Sequence, residues 1–200
     1  MTETTPRREQ TRLRLVEAAI DEFALRGIDA TSVEHLCEAA GFSRGAFYSN
    51  FATKDDLCIT IMEHHRDLVV AGLSQVFTNL PTDADVDWVT GEALREFFRI
   101  VAPTENFQRT LVEIRLRATR SRDLSGRLEQ LAQEIRPGMH QFIDDLATQL
   151  DVEFRLKTSQ LLDVLESLFF YDLNSTRTDV RDLIGPVALA LSQPKEKSHG

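Results

Sequence analysis

Residues 31–57 read Thr31-Ser32-Val33-Glu34-His35-Leu36-Cys37-Glu38-Ala39-Ala40-Gly41-Phe42-Ser43-Arg44-Gly45-Ala46-Phe47-Tyr48-Ser49-Asn50-Phe51-Ala52-Thr53-Lys54-Asp55-Asp56-Leu57. Val33, Leu36, Cys37 and Ala40 fall on one face of a helix that stops at Gly41. Thr31 and Glu34 have capping-box spacing, with Ser32 as the alternative cap. Ser43 is placed to cap a second short helix over 44–51. Phe42 before that cap and Phe47 within the helix have the spacing of a hydrophobic staple, which sets the angle of chain entry. Two short helices joined by a Gly-Phe-Ser turn, with that angle specified, are what a helix-turn-helix requires.

With Ala46, Phe47 and Phe51 turned inward, the second helix presents Arg44, Gly45, Tyr48, Ser49 and Asn50 outward. Arginine can donate two parallel bonds to guanine O6 and N7 in a major groove. Glycine leaves room for the bases, and Tyr48 and Asn50 can reach phosphate oxygens. Lys54 adds a cation, and the helix N-terminus at Thr31 and Ser32 offers amides to a phosphate. For any single residue a solvated surface is the simpler reading; caps, staple and outward face taken together favour DNA.

Outward from this stretch, helical periodicity continues almost throughout, and no run alternates as a strand would. A first helix spans 10–26, with Val16, Ala19, Ile20, Phe23 and Ala24 inward and Gly27 as its cap. Thr53 and Asp56 cap a long helix to about residue 78. Five more are expected at 85–101, 104–121, 124–150, 153–173 and 179–192, with Pro137 and Pro186 kinking or splitting two of them. The expected fold is all-α, about nine helices: a DNA-binding domain over 1–54, a helical domain over 55–192 and a fraying tail over 193–200.

The net charge of −9 sounds hostile to nucleic acid, but residues 1–15 carry four arginines against two glutamates, while 61–200 carry 16 basic and 22 acidic groups. A small basic face suffices for DNA, so the total charge decides nothing. No apolar run is long enough to span a membrane and no secretory segment precedes Glu9, so a cytoplasmic protein is expected. Cys37 and Cys58 fit a reduced interior, without the C-x-x-C spacing of a redox pair.

Residues 31–57 resemble the signature of the TetR family of bacterial regulators, and the likeness extends over about 50 residues. The Ala-Gly-Phe-Ser turn, the Phe-Tyr pair, the closing Phe51 and the Lys-Asp-Asp-Leu run are its most specific elements. Cys37 and Asn50 depart mildly from the family pattern, which commonly has a small hydrophobe and often His there. The resemblance implies base contacts from 44–49 and phosphate contacts near Ser32, Tyr48, Asn50 and Lys54, with Arg7 and Arg8 as a candidate arm. The candidate DNA-binding residues are thus Thr31, Ser32, Ser43, Arg44, Gly45, Ala46, Tyr48, Ser49, Asn50 and Lys54. It also implies a homodimer on a double-stranded operator and a helical domain that binds a small-molecule effector.

Residues 60–192 hold eight of the twelve phenylalanines. Trp88, Phe97, Phe98, Phe107, Leu111, Met139, Phe142 and Phe169 are candidates to line an apolar effector pocket, though each apolar stripe alone reads equally as core. The last two helices resemble the family's dimer interface, giving Leu161, Leu165, Leu168, Val180, Ile184, Val187 and Leu191 as candidate contacts. The Arg109–Arg127 run reads as a solvated face with Glu113 and Asp123, with Arg115, Arg122 and Arg117 as candidates to face the DNA-binding domain or an acidic effector. His64 and His65 point about 100° apart on a helix and would chelate poorly, so neither metal nor cofactor is expected.

The leading expectation is a repressor released from a palindromic operator by a hydrophobic or aromatic effector. A helical-bundle ligand carrier or enzyme is the alternative, but H-E-x-x-H, G-x-x-x-x-G-K-[ST] and G-x-S-x-G are all missing, so catalysis is not expected. A protein-binding helical module is a third reading.

Overall fold

The computed structural model describes residues 6–174 and 181–195, with every side chain there except those of Val86, Thr90, Asn174, Arg181 and Asp182. Its elements are α1 (Pro6–Arg26), α2 (Val33–Ala40), α3 (Arg44–Tyr48), α4 (Lys54–Thr78), α5 (Val86–Trp88), a π turn (Val89–Ala93), α6 (Leu94–Val101), α7 (Glu105–Ala118), α8 (Arg122–Gln149), β1 (Val152–Phe154), α9 (Thr158–Asn174), α10 (Arg181–Ala190) and β2 (Ser192–Pro194). The fold is all-α with a helix-turn-helix at its N-terminal end and a helical C-terminal part, as the periodicity predicts.

Boundaries moved where local chemistry outranks periodicity. Among the described residues α1 runs from Pro6, four residues ahead of the expected start, and proline is tolerated in a first helical turn, where it needs no amide partner and has its φ preset. The expected helix from 153 instead opens on β1, which pairs antiparallel with β2, Val152 against Pro194 and Phe154 against Ser192. Asp151, with φ of 52°, turns the chain out of α8 into that ribbon. Strands of three residues are too short to show alternation, so the ribbon left no trace in the pattern, and Gln193 and Pro194 of the expected tail belong to it. Pro137 and Pro186 do not split α8 and α10. Both prolines are exposed, so water can replace the lost amide at the carbonyl four residues back.

Two compact units result. One takes the chain up to Arg66 together with Ala102–Leu131; the other takes Asp67–Val101 and the chain from Ala132 on. A division at residue 54 therefore does not describe the packing, because α1 packs on α7 as well as on α2. Thr110 is buried and its hydroxyl donates to the Ile20 carbonyl at 2.7 Å. The first unit buries Leu15, Ala19 and Phe23 of α1, Leu36 of α2, Phe47 of α3, Leu57 and Ile61 of α4 and Leu111 and Ile114 of α7.

The second unit is built on aromatic and aliphatic packing. Val76, Val89 and Ala93 form one buried group with Trp88, Phe97, Phe142 and Leu146 against it. Ile143, Leu161 and Leu162 form another, with Met139, Phe142, Phe154, Leu165 and Leu191 against it. Phe142 joins the two. Phe98 stacks on Phe169 with centroids 5.6 Å apart and planes 9° from parallel.

Candidate nucleic-acid interface

α3 is held by caps at every junction that leads to it. Ser32, in extended conformation, accepts from the His35 amide at 3.1 Å and so is the true cap of α2. Gly41 takes φ of 71° and ends α2; its amide reaches Glu38, and the Phe42 amide reaches Cys37 at 2.8 Å. That left-handed turn is open to glycine at little cost and strains a residue with a Cβ. Ser43 then accepts from the Ala46 amide at 3.2 Å and starts α3. Thr53 and Asp56 exchange caps across the first turn of α4, Asp56 accepting from the Thr53 amide at 2.9 Å and Thr53 Oγ1 from the Asp56 amide at 3.1 Å. Beneath α3, Phe47 is fully buried between Tyr48 and Phe51. The Phe42 ring carries the Arg14 guanidinium 4.9 Å from its centroid.

On the outer side Arg44, Gly45, Tyr48 and Ser49 are exposed, with Ala46 and Asn50 half-buried. The Arg44 guanidinium pairs with Glu34 at 2.7 Å and lies 6.0 Å from the centre of the Tyr48 ring. A hydrogen bond with Tyr48 and the Glu34 charge raise its pKa further. Gly45 has no internal reason to be glycine: an added Cβ would meet only Ser43 Oγ at 3.7 Å, an ordinary contact. Glycine within a helix costs about 1 kcal/mol relative to alanine, so its presence points outward, to something that approaches closely.

Three expected phosphate ligands are used internally. Thr31 is fully buried, its hydroxyl donating to Gly27 at 2.7 Å, because the cap role fell to Ser32. Lys54 Nζ donates to the carbonyls of Ile28 at 2.6 Å and Thr31 at 2.8 Å. Burial, and then Arg117 nearby, lowers its pKa. Asn50 donates to the Ala46 carbonyl at 2.8 Å and ties off the end of α3. Arg7 and Arg8 are not a loose arm: both lie in α1, and Arg8 donates to the Ser49 carbonyl at 2.9 Å.

Of the basic run, Arg117 takes the alternative of facing the N-terminal region, and Arg127, not singled out for that role by the sequence, joins it there. Arg117 of α7 binds Asp55 at 2.6 Å and also Asp29; Arg127 of α8 binds Asp56 at 2.9 Å. Burial opposes the charge on Arg117, but Asp55 and Asp29 outweigh it and its pKa is raised. Glu34 was missed because it is an ordinary first-turn acid in sequence.

The other candidates divide. Phe107 and Leu111 are buried in the first unit, Phe107 with the His64 and His65 rings at 6.0 Å, apart from the other candidate pocket residues. The α7 stripe they belong to faces α1, a choice periodicity cannot make. Trp88, Phe97, Phe98, Met139, Phe142 and Phe169 stay together in the second unit. Of the candidate dimer contacts, Leu161 and Ile184 are buried within the chain's own core, and Leu165 and Leu191 pack against Leu161's group. Leu168 and Val187 are half-buried, and Val180 lies outside the described residues. The exposed apolar groups of α9 and α10 are Tyr171, Leu183 and Leu189.

Residues 15–61 match the profile of the bacterial regulatory proteins of the tetR family. The N-terminal region of this chain is therefore of the tetR type. Among its relatives, the uncharacterized HTH-type transcriptional regulator YwcC of Bacillus subtilis is 33% identical over 73 residues, 35% of this chain and 33% of YwcC. The HTH-type transcriptional activator FasR of Mycolicibacterium smegmatis is 27% identical over 106 residues, 53% of this chain and 47% of FasR. The chain thus spans between a third and a half of the length of these relatives. Salmonella enterica GusR superposes with a TM-score of 0.74 over 96% of this chain and 98% of its own, at 18% identity. FadR of Bacillus subtilis, in complex with stearoyl-CoA, gives 0.68 over 90% and 96% at 14% identity. At such identities the likeness speaks for the TetR-like fold alone. Among the described residues no helix is long and apolar enough to cross a membrane, and no cluster of His, Cys, Asp and Glu could hold a metal.

Proposed function

We propose that this chain is a cytoplasmic, DNA-binding transcription regulator of the TetR family. It acts as a homodimer on a palindromic operator, and a small apolar or aromatic effector releases it. The observation that carries the reading is the outer face of α3, where Arg44, Gly45 and Tyr48 stand exposed on a helix capped by Ser43 and anchored by buried Phe47. Arg44 reads guanine O6 and N7, and Gly45 lets the backbone close on the bases. Ser32, Ser43, Tyr48 and Ser49 position the helix on phosphates. Thr31, Lys54 and Asn50 act by holding this surface in shape.

Two copies of α3, related by a two-fold axis, would enter successive major grooves roughly 34–36 Å apart. Exposed Tyr171, Leu183 and Leu189, with half-buried Leu168 and Val187, are the proposed dimer face. Trp88, Phe97, Phe98, Met139, Phe142 and Phe169 supply an apolar, aromatic environment suited to the effector. An effector coupling of about 1–3 kcal/mol changes operator affinity 5–150-fold. Repression is our reading of the sign; FasR, similar over 106 residues, is named an activator.

A mobility-shift titration on duplex from the gene's own upstream region tests this. Binding should survive excess random duplex and weaken steeply with salt. Equal affinity for both duplexes would refute it.

A further inference from the structure

We infer that Glu34 of α2 is the positioning residue for the base-reading arginine, and that it sets specificity by denying Arg44 to phosphates. The inference rests on the reading of Arg44 as the guanine contact. Glu34 Oε1 lies 2.7 Å from Arg44 Nη1, and the two side chains are 56% and 60% exposed. Tyr48, one turn along α3, lies beside the same guanidinium with its ring centre 6.0 Å from Cζ. A long, exposed side chain is thereby held from two elements at a place where no core packing fixes it.

Folding does not call for either charge. Arg44 is the first residue of α3, where a cation stands against the helix dipole. An exposed ion pair contributes little to stability. Glu34 also places a carboxylate on the surface that meets a polyanion, which weakens binding to any sequence. Such an arrangement is costly for affinity and useful for discrimination. A lone phosphate oxygen offers Arg44 little more than Glu34 already does. A guanine edge offers two parallel bonds, which discriminate against a wrong base by roughly 5- to 150-fold. With Glu34 in place, Arg44 is therefore released mainly to guanine.

The experiment selects duplexes from a random-sequence library with the full-length wild-type chain. It then measures binding of wild type, Glu34→Gln, Glu34→Asp, Arg44→Ala and the Glu34→Gln/Arg44→Ala pair across KCl concentrations. The probes are the selected duplex, the same duplex with its Arg44-dependent guanine replaced, and random duplex. Glu34→Gln should bind random duplex several-fold tighter, with a log–log salt slope steeper by about 1. Its guanine discrimination should drop at least about fivefold, and that drop should vanish in the Arg44→Ala background. Glu34→Asp, too short to hold Arg44, should likewise lose the discrimination, with a salt slope steepened by no more than in Glu34→Gln because the carboxylate remains. A guanine preference that needs Arg44 yet stays intact in both Glu34 variants overturns the inference alone. A preference that survives Arg44→Ala overturns the arginine's assignment, and a wild-type chain that enriches no sequence overturns DNA reading itself; either outcome removes this inference with it.

Discussion

The surroundings of α3 and the aromatic core of the second unit solve the problem of a defined shape by different means. Around α3 the shape comes from polar groups in fixed stations: Ser32, Ser43 and Thr53 at helix starts, Gly41 at a helix end, Lys54 on two carbonyls. In the second unit it comes from rings and aliphatic groups such as Phe98 on Phe169 and Phe142 between two clusters. Directional bonds fix the angle of a small helix that must present the same atoms each time. Apolar packing is non-directional and can be rearranged around a guest without stranding polar groups.

Matched truncations should separate the two. Phe47→Ala is expected to cost about 3–5 kcal/mol, the usual range for a buried phenylalanine, and to abolish sequence-specific binding together with thermal stability. Phe169→Ala, also buried, should cost about the same by that measure yet leave the operator preference of the folded protein unchanged. Thermal melts read the first quantity and binding to a selected duplex the second; loss of preference in the Phe169 variant would erase the distinction.

Acid is the next largest lever, and it falls on the first unit. Burial, then Arg115 and His64 nearby, lowers the His65 pKa from 6.5 to about 4. The unfolded chain therefore binds this proton more readily than the folded one between those values. Stability is full above about pH 6.5 and declines as pH falls toward 4, by on the order of 3 kcal/mol in total. Denaturant melts at several pH values should show this slope, and His65→Gln should flatten it.

Lys54→Met keeps the apolar stem and removes the donors to Ile28 and Thr31. It should cost about 1–3 kcal/mol, the penalty for buried carbonyls left without a donor. DNA affinity should then fall by no more than the misfolded fraction explains; a lowered salt slope with unchanged stability would return Lys54 to the phosphate contacts.

The smallest effect is the most pointed. Gly45→Ala should stabilise the chain by about 0.5–1 kcal/mol through helix propensity, while weakening DNA binding tenfold or more because a methyl group then faces the bases. Both effects with the same sign would show that Gly45 serves the fold.

Much of the first region was legible in the sequence because its signals are local. Ser43 and Ala46 are three residues apart, as are Thr53 and Asp56, and Gly41 follows its helix directly. The clamps were legible only as an open alternative for Arg117, and their partners not at all, since Lys54 reaches back 26 and 23 residues and Arg117 acts across 62. The apolar stripes were visible, but their partners were not. Leu161 and Ile184 were read as facing a second copy and face their own core; Phe107 and Leu111 were read with the aromatic group and pack in the first unit. Periodicity says which side of a helix is buried and is silent about what buries it.

The central claim is that the outer face of α3 reads base edges in the major groove through Arg44. Methylation interference on a selected duplex tests it directly, because a methyl group on guanine N7 blocks the arginine contact. The account predicts interference at one guanine in each half-site, about one helical turn apart, and its disappearance with Arg44→Ala. Binding indifferent to N7 methylation, or an interference pattern unaltered by that substitution, would contradict it.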